Sequence, residues 1–300
     1  MVELPKKLIF GCGYLGRRVA DQWAGAGEEV WVVTRDQRRA ELLARDGFHP
    51  LVADVTRSSS LKNLPSVDTV LYAVGYDRRA GASQHEVYVD GLTNVLDRLA
   101  GDKLKRFLYI SSTGVYGQRD GSWVDEDSIC HPTREGGRVC LAAEERLAAH
   151  SIGPRRIVLR LAGIYGPNRI PQLETILSGL LPPGSDETHL NLIHVDDAVR
   201  TILAAENHAT PPARYVVSDG KPVSRGDFYR YVAQLAWPAQ LGPNRQQSGS
   251  SRSANQERSS GSDKRLDNRR MIQELGVRVE YCSFREGLSA IAAERLTGLP

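Results

Sequence analysis

Leu8-Ile9-Phe10-Gly11-Cys12-Gly13-Tyr14-Leu15-Gly16 is the stretch whose reading decides the fold. Three consecutive apolar residues suit a strand buried on both faces. Beyond the glycines, Val19, Ala20, Trp23 and Ala24 recur at helical spacing. A G-x-G-x-x-G run between a strand and a helix has a mechanical meaning: Gly11 permits the tight turn, Gly13 lets a pyrophosphate approach the backbone, and Gly16 lets the helix pack on the strand. Tyr14 and Leu15 open the helix, whose first N–H groups lack intrahelical partners and carry positive potential suited to an anion. A plain glycine-rich turn is the competing reading.

Outward from this loop, strand-like runs at 29–34, 49–52, 69–73 and 106–111 alternate with amphipathic segments, among them Val87, Val89, Leu92, Val95 and Leu96. A further run at 157–161 extends the series, and 190–195 leads into a helical stretch at 196–206. This alternation predicts an α/β fold, a Rossmann-type doubly wound parallel sheet. Beyond Pro167 the elements become short and mixed: a strand at 214–217 and helices at 228–235 and 284–294. The expected division is a dinucleotide-binding domain over 1–166, with 194–208 packing back on it, and a smaller mixed α/β substrate-binding region over 167–300. Segment 244–263 has almost no apolar residue and reads as a mobile loop, or as a lid contacting an anionic substrate through Arg252 and Arg258.

In a fold of this kind the end of the second strand meets the adenosine ribose, where an acid favours a 2′-hydroxyl and arginine accommodates a 2′-phosphate. Here the strand ends in Thr34-Arg35. Thr34 can donate to the phosphate and Arg35 can form charge-assisted bonds to it, which predicts a preference for NADP, with NAD as the alternative cofactor. Arg35 also reads as a solvated residue capping the second helix, as Asp36 does. Asp54 and Val55, after the third strand, are placed to meet the adenine edge, and Ala73-Val74-Gly75 offers small residues beside the cofactor. Each of these two segments alone also reads as a simple turn.

The 300 residues are enough for about two domains. Hydrophobic residues at 41% and charged residues at 25% fit an ordinary folded chain and exclude global disorder. Lys plus Arg number 39 against 36 Asp plus Glu, and a net charge of +3 is too small for a nucleic-acid surface, so a small-molecule partner is expected. Cys12, Cys130, Cys140 and Cys282 form no C-x-x-C pair, so neither a metal site nor a disulfide framework is expected. A cytoplasmic location follows from that pattern, and no signal peptide, membrane anchor or spanning segment is visible.

Together with these features, Tyr109-Ile110-Ser111-Ser112-Thr113-Gly114-Val115-Tyr116-Gly117 resembles the NAD-dependent epimerase/dehydratase family, the extended branch of the short-chain dehydrogenase/reductase superfamily. The likeness continues through Arg160-Leu161-Ala162-Gly163-Ile164-Tyr165-Gly166-Pro167, Ile193-His194-Val195-Asp196-Asp197-Ala198 and Tyr215-Val216-Val217-Ser218-Asp219-Gly220. The spelling of the glycine loop is similar to that of atypical, sugar-nucleotide epimerase-like members. The resemblance implies that Ser112, four residues before Tyr116, bonds the substrate hydroxyl or carbonyl, that Ser111 lies in the cofactor pocket, and that a homodimer forms through the helices after the fourth and fifth strands.

The resemblance also implies a proton-carrying Tyr followed four residues later by Lys. Between Tyr116 and Tyr165 there is neither. The segment expected to hold the pair reads Pro132-Thr133-Arg134-Glu135-Gly136-Gly137-Arg138-Val139-Cys140-Leu141-Ala142-Ala143-Glu144. Arg138 is the candidate to replace the lysine in holding the ribose. Tyr116 and Tyr165 are the candidate phenols, each with a competing reading as aromatic packing. Gly163 stands where nucleotide-sugar enzymes of the family carry Asn. His194, within the block that joins the two domains, reads as structural. Two functions follow: an NAD(P)-dependent oxidoreductase, epimerase or dehydratase acting on a sugar or nucleotide sugar, and a non-catalytic NAD(P)-binding sensor or scaffold.

Overall fold

The computed structural model describes residues 5–100, 103–178, 186–236 and 262–297. The first half runs β1 (Lys6–Phe10), α1 (Tyr14–Gly25), β2 (Glu29–Thr34), α2 (Gln37–Arg45), β3 (His49–Val52), β4 (Thr69–Tyr72), α3 (Gly91–Leu99), β5 (Arg106–Ser112), β6 (Arg119–Val124) and α4 (Glu135–Ala149). The second half runs β7 (Arg156–Leu161), β8 (Gly163–Tyr165), α5 (Leu173–Leu177), β9 (His189–Leu190), β10 (Leu192–His194), α6 (Val195–His208), β11 (Ala213–Val217), β12 (Val223–Ser224), α7 (Arg225–Ala236), β13 (Asp263–Leu266), α8 (Arg269–Leu275) and α9 (Phe284–Thr297).

Seven strands form one parallel sheet in the order β11-β7-β5-β4-β1-β2-β3. It is a Rossmann-like fold. From β1 the chain steps outward to β2 and β3, then crosses back to place β4 on the other side of β1. Such a reversal opens a crevice at the carboxyl ends of the strands, where ligands of doubly wound sheets bind. The strand sequences are continuously apolar because both faces are covered. Successive residues alternate sides: Ile9 packs with Val19, Trp23 and Ile202 from α1 and α6, whereas Leu8 and Phe10 pack with Leu92, Val95 and Leu96 of α3.

The sequence expectation that 214–217 belongs to a separate smaller region is corrected by the pairing of β11 with β7, which makes it the outermost strand of the central sheet. The chain therefore leaves the sheet after β7 and returns to it. The smaller region is built from two-stranded pairings, β8 with β10, β9 with β12 and β6 with β13. Tyr165, Leu192, Phe228, Val232, Phe284, Leu288 and Ile291 form its core. Of the expected loop at 244–263, residues 244–261 lie outside the described residues, and Asp263 begins β13. Among the described residues no helix is long and apolar enough to cross a membrane.

Candidate functional site

At the switch point lies a cleft of about 450 Å³, lined by residues 10–13 of the glycine loop, 33–36 at the end of β2, Arg39 on α2, 53–56 after β3, and 74–77 after β4. Eight sequence-predicted residues meet in it: Gly11, Gly13, Thr34, Arg35, Asp54, Val55, Val74 and Gly75. Tyr14, Leu15, Gly16 and Ala73 adjoin it without lining it.

The three glycines divide their work as the motif requires. Gly11 has φ of +90°, and an added Cβ would sit 2.3 Å from the Ala73 carbonyl oxygen, so the turn packs directly on the end of β4. An added Cβ at Gly16 would sit 2.3 Å from the Gly11 carbonyl oxygen. At Gly13 a Cβ would meet nothing within 4 Å, so here the backbone faces open space. Gly13 is also the N-cap of α1, with no capping side chain and no acid in the first turn. An open backbone beneath an uncapped helix N-terminus fits a pyrophosphate. Tyr14 takes no part in that cradle: its hydroxyl donates to the Pro167 carbonyl at 3.0 Å.

At the ribose end Arg35 does not cap α2. Asp36 does, accepting from the Arg39 amide at 2.7 Å, while Arg35 reaches across the cleft to Asp77 at 3.2 Å, both side chains about half exposed. The Arg39 guanidinium donates to the Cys12 carbonyl and brings a second cation to the same end, one that the sequence reasoning missed. Its signal was its position: Asp36 caps the helix, and Arg39 lies in the first turn facing the loop. Thr34 accepts from the Asp36 amide at 3.3 Å, which leaves its hydroxyl proton free to donate. Asp54 accepts from the Thr56 amide and hydroxyl at 3.0 and 2.8 Å, fixing the carboxylate at the cleft wall.

Beyond β5 the picture changes. Ser112 ends the strand and its Oγ accepts from the Gly114 amide at 3.0 Å, fixing the hydroxyl on the short turn Thr113–Val115. The expectation that Ser111 belongs to the cofactor pocket is corrected: its side chain is buried and donates to Glu144 at 2.5 Å. Glu144 in turn receives Arg160 through Nε at 3.0 and 3.2 Å and through Nη2 at 2.7 Å. Burial disfavours the Arg160 charge, but the Glu144 carboxylate outweighs it and raises the pKa above the ordinary value.

Tyr116 accepts from Arg160 Nη1 at 2.8 Å and is 1% exposed. Burial drives its pKa up, only partly opposed by Arg160. Tyr165 is fully buried, donates to the Ser283 carbonyl at 3.3 Å, and is likewise pushed up by burial. Neither phenol lines the cleft, and both are buried with pKa values raised by that burial. Arg138 is exposed, donates to the Thr133 carbonyl at 2.9 Å and is not among the residues that line the cleft. His194 caps α6 by accepting from the Asp196 amide at 3.3 Å, lies against Tyr165 and Tyr281, and is held below its ordinary pKa by burial. Among the described residues no cluster of His, Cys, Asp and Glu could hold a metal ion.

An open glycine cradle at the switch point of a parallel sheet defines a dinucleotide-binding α/β protein. A model of the NAD dependent epimerase/dehydratase family matches residues 8–218, and the chain belongs to that family. Protein YeeZ of Escherichia coli K12 is 27% identical over 284 residues, covering 93% of this chain and 97% of its own. A solved NAD-dependent epimerase/dehydratase of Methylobacillus flagellatus, described as putative, is 29% identical with a TM-score of 0.76, covering 98% of this chain and all of its own. The WbmG enzyme of Bordetella bronchiseptica, solved with NAD and UDP, shares the fold at 20% identity and a TM-score of 0.79, covering 98% and 96%.

Proposed function

We propose that this chain is an NADP-preferring oxidoreductase, epimerase or dehydratase acting on a sugar or sugar-nucleotide type of small molecule. The observation that carries the reading is the cleft itself: the open backbone at Gly13 under the uncapped start of α1, with Thr34 ending β2, Arg35 and Arg39 beside it, and Asp36 engaged as the cap of α2. Gly13 and the first amides of α1 would hold the pyrophosphate, Thr34, Arg35 and Arg39 the 2′-phosphate, and Asp54 with Val55 the adenine. A bound nicotinamide would supply hydride exchange. Ser112 orients the substrate hydroxyl or carbonyl, its Oγ already fixed by the Gly114 amide. WbmG, which shares the fold, was solved with NAD and UDP, and this supports the substrate class proposed here.

The Arg35–Asp77 pair gives the preference an internal competitor. Arg35 would have to exchange Asp77 for a 2′-phosphate in order to hold it. Ser112→Ala tests the catalytic half of the reading: turnover of a keto-sugar or nucleotide sugar with NADPH should fall, and undiminished turnover rejects the role. A second reading, a non-catalytic dinucleotide sensor, is favoured by one observation. Segment 117–164 has no Tyr or Lys, and the two nearest phenols, Tyr116 and Tyr165, are buried. A hydride-transfer screen separates the two, because a sensor discriminates oxidised from reduced cofactor without exchanging hydride. A homodimer through α3 and α4 belongs to the same proposal, and sedimentation tests it.

A further inference from the structure

Lys264 is a buried cation without a counter-ion. It lies on β13, is 6% exposed, and its Nζ donates to the Tyr116 carbonyl at 3.0 Å and to Ser262 Oγ at 3.2 Å. Both acceptors are neutral, and no carboxylate pairs with it among the described residues. The adjacent acid, Asp263, is occupied by the His189 backbone N–H and ring at 2.9 and 2.8 Å. The charges that act on Lys264 are of its own sign, Arg134 and Arg225. Burial first, and then these two guanidinium groups, lower its pKa to about 8.

Arg134 and Arg225 come from separate segments and both act on the Lys264 charge. Arg134 is the N-cap residue of α4. Its neighbours are pressed onto the turn after Ser112, since a Cβ on Gly117 would collide with the His131 carbonyl. Arg225 opens α7 and is held by Thr188, Nε donating to its Oγ1 at 2.9 Å. Neither arginine has a carboxylate partner among the described residues. In sequence, 237–261 holds one acid, Glu257, against Arg245, Arg252 and Arg258. Taking an ammonium out of water is unfavourable unless a partner offsets it, and three convergent cations amplify that cost.

We propose that Lys264, Arg134 and Arg225 form the binding site for an oxyanion, a carboxylate or phosphate, carried by the substrate close to its reacting carbon. This rests on the reading of Ser112 as the substrate-orienting hydroxyl. Ser112 begins the turn Thr113–Val115, and the carbonyl of Tyr116, which closes that turn, is the one Lys264 grips. None of the three cations lines the cleft formed by the glycine loop and the ends of β2, β3 and β4. Ammonium and guanidinium donors complement carboxylate and phosphate oxygens, and the same charges repel a metal ion. The substrate class narrows accordingly, from neutral sugars to acidic or phosphorylated ones.

The test is calorimetry on the full chain at pH 7 with inorganic phosphate, glucuronate and glucose, with NADPH titrated separately. Wild type should bind phosphate or glucuronate and not glucose, and the stronger of the two names the oxyanion. Lys264→Met should weaken that binding by roughly ten- to a hundredfold, the range of one charge-assisted bond, while NADPH affinity stays within about twofold. Arg134→Ala, at an exposed position, should weaken it less and guards against misfolding of the Met variant. NADPH binding with no response to either oxyanion, or equal oxyanion binding by Lys264→Met, overturns the proposal and leaves the cofactor reading intact. Oxyanion binding without any dinucleotide binding sustains this site and removes the cofactor reading.

Discussion

The two ends of the crevice are built by different means. The dinucleotide end is made of backbone: glycines, a helix terminus and strand ends contributed by neighbouring βα units, with side chains added only at the ribose. The proposed substrate end is made of side chains from distant parts of the chain. Ser111, Glu144, Arg160 and Tyr116 bond to one another in a buried network, and Lys264 joins it from β13, 148 residues after Tyr116. Backbone devices hold one generic ligand and tolerate sequence drift around them. Side-chain networks can be rewired, and segment 117–164, which includes α4, contains no Tyr and no Lys.

The largest expected effect separates space from scaffold within the glycine loop. Gly13→Val should abolish dinucleotide binding while leaving the melting temperature nearly unchanged, because its Cβ meets no atom. Gly16→Val should instead destabilise the fold, because its Cβ meets the Gly11 carbonyl. Paired measurements of Kd and Tm on the two variants check this contrast, and equal loss of stability in both would break it.

Next comes the substrate end. Glu144→Gln leaves the Arg160 charge buried without its carboxylate, and removing one partner of such a pair costs about 3–5 kcal/mol. Chemical denaturation should read that loss. A change below about 1 kcal/mol would mean the network is not what ties α4 to the sheet. Smaller again is Arg35→Asp, which should weaken NADPH binding by about one to two decades, the value of a charge-assisted bond, and leave NADH nearly untouched. An unchanged NADPH constant would remove Arg35 from the ribose site.

How much of this was legible in the sequence follows the same division. The Gly11–Gly16 loop and the strand alternation announce themselves locally, because turn geometry and period are properties of neighbouring residues. The place of β11 did not, because its partner β7 lies about fifty residues away and an apolar strand in a short mixed region looks the same in either sheet. Ser111 and Ser112 are adjacent hydroxyls in the sequence. Only the strand pleat decides that one faces Glu144 and the other the turn. Lys264 carried no signal of its own, since a lysine among arginines reads as solvated surface until its burial is known.

The smallest effect is a pH dependence in the smaller region. Asp219 is buried, with one carboxylate oxygen unbonded and the other accepting from the Lys221 amide at 2.9 Å. Burial raises its pKa to about 7. A carboxyl whose folded pKa lies above its unfolded value of about 3.9 contributes fully below that lower value, and the contribution is lost as pH rises through about 7. Asp219→Asn should therefore gain in Tm over wild type between pH 5 and pH 8 and stay level above that. A constant difference across the range would show that Asp219 is not protonated in the folded chain.

The central claim, a dinucleotide held at the switch point with Arg35 and Arg39 on its ribose phosphate, is tested most directly by calorimetric titration of NADPH, NADP⁺, NADH and NAD⁺ into the purified chain. The account predicts one site per chain, with the phosphorylated cofactors bound more tightly by about tenfold or more. Equal affinity for NADH and NADPH would contradict the arginine assignment, and no binding of any of the four would contradict the cleft itself.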